Sequence, residues 1–180
     1  LSDDLTSTYK ASMLVFQRLG KKPISLEEYR REFTLPYMLF WNRYFPDLSK
    51  EEEEKLYVKA IHEVEEPKIY IGVKDVIKRL NSIGIKMIVI SSHPHDKLIK
   101  EAENYGINEY FQEINGSIHN KTETIIEILQ RNKFDPLQTM YVGDMTHDID
   151  AGKSAGVITV GLSWGYQSKD KLKESNPDYI

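Results

Sequence analysis

From about residue 69 onward, short apolar runs alternate with longer segments in which apolar residues recur at helical spacing. The longer segments predict amphipathic helices over residues 73–84, 94–106, 120–132 and 147–156. The short runs are rich in β-branched residues and predict strands over residues 85–90, 110–115, 139–142 and 157–161. Strands that alternate with helices this regularly are typical of a parallel sheet covered on both faces. The pattern therefore predicts an α/β fold.

The first third of the chain has a different pattern, because residues 4 to about 66 show few strand signals. Ser25 with Glu28, and Ser49 with Glu52, have the spacing of a capping box at a helix start. This part of the chain is therefore predicted to be helical.

Aromatic residues crowd the segment 29–45, and several of them are four positions apart, so that they share a helix face. We interpret them as the core of a small helical subdomain rather than as a substrate cage. The predicted organisation is thus a helical cap over residues 6–66, set on an α/β core that comprises residues 1–5 and 67–180.

Composition and charge exclude several classes of protein. The chain has 180 residues, of which 40% are apolar and 29% charged, and it contains no cysteine. Disulfides, thiolate metal sites and a cysteine nucleophile are therefore excluded, and a cytoplasmic location is expected. The formal net charge is −4 with no basic footprint, so we expect no nucleic-acid partner. The opening LSDDLTSTYK has no basic stretch followed by an apolar one, so we expect no signal peptide. No apolar run reaches the roughly 20 residues that span a bilayer, so no membrane partner is expected.

Residues with phosphate and metal chemistry follow the predicted strands. Ser91 and Ser92 come directly after one strand, Lys121 lies at a helix start, and Asp144 and Asp148 follow another strand. Ligands of open α/β sheets bind at the carboxyl ends of the strands. Hydroxyl groups, free backbone amides and a lysine suit phosphate, whereas paired carboxylates suit Mg²⁺. Together they describe a magnesium–phosphate site for phosphoryl transfer.

Each of these residues also has an ordinary structural interpretation. Asp144 and Asp148 would cap a helix and favour its dipole. Ser91 would fit a simple turn, and Lys121 would fit the exposed first turn of a helix. Their common order and their positions at strand ends favour the metal and phosphate interpretation.

These residues also resemble the motifs of a known family. IVISSHP, then Lys121, then YVGDMTHDIDAGKSAG resemble the second, third and fourth motifs of the haloacid dehalogenase (HAD) superfamily. The stretches IYIGVKDVIKRLNSIGIKMIVISSHP and GLSWGY resemble its phosphoglycolate-phosphatase-like branch, which has a helical cap. The resemblance covers nearly the whole chain and is clearest from residue 69 onward. It implies a Rossmann-like parallel sheet with an inserted helical cap.

The resemblance also implies a role for each candidate residue. Ser91 would bind phosphate together with the backbone amide of Ser92. Lys121 would stabilise the phosphorylated intermediate. Asp144 would coordinate Mg²⁺ with support from Asp148. The implied catalytic residues are thus Ser91, Lys121 and Asp144, and the implied cofactor is Mg²⁺.

The sequence departs from the family at its first motif, Asp-x-Asp-Gly followed by Thr or Val, which supplies the nucleophile and the general acid/base. The opening LSDD resembles what comes immediately after that motif. Asp3 and Asp4 are followed by Leu and Thr and do not fit these roles. We therefore expect both aspartates, and the central strand that carries them, upstream of Leu1.

The predicted function is a Mg²⁺-dependent phosphatase that acts on a small phosphomonoester resembling phosphoglycolate. An upstream aspartate would form an aspartyl-phosphate, and the helical cap would close over the site. Three alternatives remain open: an inactive module that binds a phosphorylated ligand or a partner protein, a phosphomutase, and a dehalogenase. A dehalogenase needs no Mg²⁺, so Asp144 and Asp148 argue against it.

Overall fold

A computed structural model describes residues 1–180. The helices are α1 (Asp4–Arg18), α2 (Leu26–Glu32), α3 (Met38–Tyr44), α4 (Lys50–Ile61), α5 (Val73–Ser82), α6 (His95–Tyr105), α7 (Lys121–Asn132), α8 (Thr146–Ser154) and α9 (Lys169–Lys173). The strands are β1 (Ile88–Ile90), β2 (Glu113–Asn115), β3 (Met140–Gly143) and β4 (Ile158–Gly161). All of the predicted helices and strands are present, and the strands at 88–90 and 113–115 are shorter than predicted. None of the helices combines the length and apolar character that a membrane span requires.

The chain forms two compact units, each built from several segments. The first unit contains residues 1–2, 68–141 and 151–158, and the second contains residues 3–67, 142–150 and 159–180. The second unit includes the predicted cap together with two later segments. The division into a cap over 6–66 and a core therefore stays a prediction.

In the first unit, β1 and β2 pair in parallel, with Ile88 opposite Glu113. Buried apolar side chains on α5, on α6 and just after α6 form one cluster, which comprises Ile77, Ala102 and Ile107. A second cluster lies between α7 and α8 and comprises Ile125, Leu129, Ala151 and Val157. Helices thus pack through apolar stripes, as the helical periodicity predicted.

The second unit has an aromatic core. Tyr29, Phe40 and Trp41 are buried. Phe40 and Trp41 pack against Phe16 of α1, and Tyr29 packs against Phe40. The ring centroids of Phe16 and Phe45 lie 5.0 Å apart with nearly perpendicular planes, which is a favourable aromatic arrangement. The interpretation of the aromatic segment as core is therefore correct for these residues.

The helix starts follow the predicted caps. The Ser25 hydroxyl accepts a hydrogen bond from Glu28 N–H at 3.1 Å, and the Ser49 hydroxyl accepts one from Glu52 N–H at 3.2 Å. Each bond satisfies one of the backbone donors that a helix start leaves without a partner.

The strands β3 and β4 pair with each other and form a sheet separate from that of β1 and β2. Ile158 N–H donates to Thr139 O at 3.0 Å and Leu162 N–H donates to Gly143 O at 2.8 Å. The partner numbers increase together, so the pairing is parallel. The sequence predicted one continuous sheet, whereas these residues form two parallel pairs. The resemblance places one more strand, which carries the first motif, in the centre of the sheet, and residues 1–180 do not include that motif.

Candidate active site

The turn between β3 and α8 holds the two candidate metal ligands. Asp148 lies in the first turn of α8 and is 5% exposed, and its Oδ2 accepts a hydrogen bond from Met145 N–H at 3.2 Å. Asp144 is half-buried, and its Oδ2 accepts a hydrogen bond from Tyr166 N–H at 2.9 Å. Both carboxylates belong to the second unit and are oriented by backbone amides.

Two glycines allow the backbone to approach these carboxylates closely. A Cβ atom added at Gly143 would lie 2.2 Å from Asp148 Cβ, and one added at Gly165 would lie 2.0 Å from Asp144 Oδ2. Neither distance is possible between unbonded atoms, so any other residue would displace a carboxylate. The backbone at Gly143 and Gly165 thus lies directly against the side chains of Asp148 and Asp144.

Burial dominates the electrostatics of Asp144. It raises the pKa of the Asp144 carboxyl above its ordinary value, because the charged form loses hydration. The hydrogen bond from Tyr166 N–H acts in the opposite direction, and the nearby charge of Asp148 raises the pKa further. The arrangement would therefore gain from a cation that neutralises the two carboxylates.

The donor set fits Mg²⁺. Mg²⁺ is commonly bound by one or two carboxylates together with water and substrate phosphate. The structure contains no group of three or more His, Asp or Glu side chains placed to hold a metal by themselves. Asp144 and Asp148, which lie against the two glycines, are two carboxylates of the kind that such a site uses.

The candidate phosphate loop lies in the first unit, after β1. The Ser91 hydroxyl accepts a hydrogen bond from His93 N–H at 3.1 Å, and Ser92 is exposed. Ser91 also bonds through its backbone to Asn115 O and Ile118 N–H, at 2.9 and 3.0 Å. The Ser91 hydroxyl oxygen therefore stabilises the turn by accepting this hydrogen bond from His93. The hydroxyl group also has a proton that it can donate.

Lys121 is the first residue of α7 and is half-buried. Asn120 caps this helix as predicted, because its side chain accepts a hydrogen bond from Glu123 N–H at 3.2 Å. The cap fixes the helix start and thus the position of the lysine backbone.

The structure thus groups the candidates into two sets. Asp144 and Asp148 lie together in the second unit, whereas Ser91, Ser92 and Lys121 belong to the first. Their roles in phosphate and metal binding stay predictions.

The loop after β4 makes contacts with Asp144 that no motif in the sequence indicates. GLSWGY was recognised only as a family-like stretch, yet Gly165 and Tyr166 both contact Asp144. Gln167, the next residue, is 1% exposed, and no sequence pattern predicts its burial. Gly161 and Gly165 in this stretch were the available signal, because glycine lets the backbone approach another group closely.

A family comparison agrees with this geometry. The profile described as haloacid dehalogenase-like hydrolase matches residues 1–162, which is most of the chain. The chain belongs to this family. The predicted family is therefore confirmed.

Named relatives support the similarity to the phosphoglycolate phosphatase branch. The phosphoglycolate phosphatase of Haemophilus influenzae is 30% identical over an alignment of 118 positions that covers 63% of this chain and 53% of that protein. A Clostridium perfringens protein, provisionally named the pyrophosphatase PpaX, is 29% identical over an alignment of 189 positions that covers 99% of this chain and 88% of that protein. The chain spans about half the length of the curated phosphoglycolate phosphatases that it matches.

Solved structures support the fold class. A haloacid dehalogenase-like family hydrolase from Streptococcus pneumoniae has a TM-score of 0.78 at 22% sequence identity, over 100% of this chain and 88% of that chain. At this identity the similarity concerns the fold alone. It confirms the predicted α/β, Rossmann-like class.

Proposed function

We propose that this protein is a Mg²⁺-dependent phosphatase that hydrolyses a small phosphomonoester of the phosphoglycolate class. The observation that carries the proposal is the pair Asp144 and Asp148, oriented by backbone amides and enclosed by Gly143 and Gly165. Family membership supports the reaction class, and the names of the relatives support the substrate class. The expected cytoplasmic location stays a prediction.

Each residue has one proposed role. Asp144 and Asp148 would hold Mg²⁺, which when bound neutralises charge on the phosphoryl oxygens. Ser91 would donate its hydroxyl proton to a phosphoryl oxygen, next to the backbone amide of Ser92. Lys121 would place its ammonium group on the phosphoryl oxygens and stabilise their negative charge.

The covalent step requires two aspartates that residues 1–180 do not supply in the family pattern, and we propose that they precede Leu1. The carboxylate of the first would attack phosphorus while the bond from phosphorus to the leaving oxygen breaks. The second would give its proton to that oxygen. It would then take a proton from water as the water attacks phosphorus, releasing phosphate and the free first carboxylate.

The test measures hydrolysis of p-nitrophenyl phosphate by the natural full-length protein, with Mg²⁺ and with excess EDTA. We expect activity that requires Mg²⁺ and falls at least about 100-fold in Asp144→Asn, because a metal ligand loses its charge. The matched control is Asp150→Asn, an exposed acid on α8, which should keep wild-type activity. Wild-type protein without Mg²⁺-dependent hydrolysis would reject the phosphatase and favour an inactive binding module.

Inorganic pyrophosphate is the second candidate substrate, because the relative matched over 99% of this chain is provisionally named a pyrophosphatase. The same assay therefore compares kcat/KM for phosphoglycolate and for pyrophosphate. A tenfold or larger preference for either would assign the substrate class, and N-terminal sequencing of the natural protein would check for the two aspartates.

A further inference from the structure

The side chain of Gln167 bonds at both ends inside the second unit. Its Oε1 accepts a hydrogen bond from Thr146 N–H at 2.6 Å, and its Nε2 donates one to Phe33 O at 3.1 Å. It is 1% exposed, so water does not replace these bonds if they are lost. A buried amide with both ends satisfied holds its two partners at a fixed separation.

The two partners are the ends of two helices. Thr146 is the first residue of α8, and its N–H is one of the donors that a helix start leaves without an internal partner. Phe33 is the C-cap of α2, and its carbonyl is one of the corresponding acceptors at a helix end. Gln167 thus caps the start of the helix that carries Asp148 and the end of α2 with a single side chain.

The backbone around Gln167 holds the other carboxylate. Tyr166 N–H donates to Asp144 Oδ2, and Gln167 N–H donates to Asp144 O at 3.2 Å. The Arg30 guanidinium fixes this loop from α2, because it donates to the carbonyl oxygens of Gly165 at 2.8 Å and of Gln167 at 3.0 Å. The loop therefore contacts both ends of the segment from Asp144 to α8.

We infer that Gln167 is a positioning residue for the Asp144–Asp148 metal site, acting through the N–H of Thr146. This inference rests on the proposed function, because it assigns the two carboxylates to Mg²⁺. Gln167 itself touches neither the metal nor the substrate. It fixes the start of α8, and so the position of the Asp148 carboxylate relative to Asp144.

The test measures Mg²⁺ affinity by calorimetry on the natural full-length protein, alongside p-nitrophenyl phosphate kinetics. Gln167→Met keeps length and volume and removes both hydrogen bonds. We expect its Mg²⁺ dissociation constant to rise about tenfold, as is common when a group behind a metal ligand is removed. We expect kcat at saturating Mg²⁺ to stay within about threefold of wild type. A merely structural defect would lower the folded fraction without changing the affinity of the folded molecules.

The matched control is Thr159→Val. Thr159 is also fully buried in the second unit, and its hydroxyl bonds to Asp178 at 2.8 Å rather than to the metal segment. Its Mg²⁺ dissociation constant should stay within twofold of wild type even where its stability falls. An equal loss of affinity in both variants would overturn the positioning role.

A second variant tests the route through Thr146. Thr146→Pro removes the N–H at the first helical position, where proline is well accepted. If Gln167 acts through this bond, the affinity losses of Thr146→Pro and Gln167→Met are not additive in the double variant. If Gln167→Met does not fold, an unchanged Mg²⁺ affinity in Thr146→Pro alone overturns the inference.

The outcomes separate the inference from the proposed function. A wild-type protein that binds Mg²⁺ and hydrolyses the ester, with unchanged affinity in Gln167→Met, overturns the positioning role only. A wild-type protein that neither binds Mg²⁺ nor hydrolyses the ester rejects the proposed function and the positioning role with it.

Discussion

Gly165 is the residue at which the enclosure of Asp144 is tightest. Gly165→Ala would place a methyl group 2.0 Å from Asp144 Oδ2, so the carboxylate must move or the loop must shift. We expect a loss of about 1–3 kcal/mol in stability and a tenfold or larger loss of Mg²⁺ affinity. Calorimetric Mg²⁺ titration and urea unfolding measure the two effects.

Gly161→Ala is the matched control for that substitution. Gly161 is also buried in the second unit, but a Cβ atom there would meet Leu172 and Ile180 side-chain atoms no closer than 3.5 Å, which is ordinary contact. Its Mg²⁺ affinity should equal that of wild type. Equal losses in the two variants would show that the effect of Gly165→Ala is not specific to Asp144.

Glu53 is a buried acid that the proposed chemistry does not use. Burial, and secondarily the charge of Glu54, raise its pKa from 4.5 to about 7. Between pH 4.5 and about pH 7, Glu53 of the folded protein therefore keeps a proton that the unfolded chain has released. The contribution of Glu53 to the free energy of unfolding is largest below pH 4.5, and it is lost as the pH rises to about 7.

The corresponding variant is Glu53→Gln, which stays neutral at every pH. We expect wild type to lose about 2 kcal/mol of stability through this group between pH 5 and pH 8, and Glu53→Gln to lose much less. Urea unfolding at the two pH values gives the comparison. Glu51→Gln, an exposed acid in the same helix turn, should follow wild type. If Glu53→Gln shows the full wild-type pH dependence, then the Glu53 carboxyl is not the cause.

At the scale of single residues, the sequence indicated the two carboxylates but not the residues that contact them. Asp144 and Asp148 are four positions apart and follow an apolar strand, so a local pattern is enough to find them. Gln167 contacts Thr146, which lies between them, from 21 positions further along the chain. Such contacts depend on tertiary packing, and no local periodicity encodes them.

At the scale of elements, helix starts were predictable because a cap is a short local signal. Ser25, Ser49 and Asn120 each accept the hydrogen bond that their spacing predicted. Strands were less predictable in length, because a strand extends only as far as a neighbour pairs with it. The run 85–90 thus forms a strand only over Ile88–Ile90, opposite β2.

The cap at Ser49 gives a prediction for α4. Ser49→Ala removes the acceptor for Glu52 N–H and should cost about 1 kcal/mol of stability. Lys50→Ala, at the next position, removes only an exposed ion pair with Glu54 and should change stability by less than about 0.5 kcal/mol. Urea unfolding compares the two variants, and equal losses would contradict the assigned role of the Ser49 hydroxyl.

At the scale of the whole molecule, the fold class was predictable and the substrate was not. Alternation of strands and helices is repeated along the chain, so errors at single elements do not change the predicted class. Substrate choice depends on a few side chains around the leaving group, whereas the proposed phosphate and metal roles concern the phosphoryl group. The proposed roles of Ser91 and Asp144 therefore concern the reaction and leave the substrate to experiment.

Ligand-linked stability can assign the phosphate and metal roles separately in the intact protein. A ligand at about 100 times its dissociation constant adds about 2.7 kcal/mol of stability, which for a domain of this size raises the thermal midpoint by roughly 5–10 °C. We expect Mg²⁺ to raise the midpoint of wild type, and inorganic phosphate to raise it further when Mg²⁺ is present. Scanning calorimetry measures both increments.

Three variants make this assignment falsifiable. Asp144→Asn should lose the Mg²⁺ increment, because the metal loses a charged ligand. Ser91→Ala should keep the Mg²⁺ increment and lose most of the phosphate increment, because the hydroxyl donor to phosphate is removed together with the acceptor of the His93 N–H bond. Ser82→Ala, which removes an exposed hydroxyl bonded to Arg79 O, should keep both increments. If Ser91→Ala retains the full phosphate increment, the Ser91 hydroxyl serves only the turn that it forms with His93, and phosphate binding lies elsewhere.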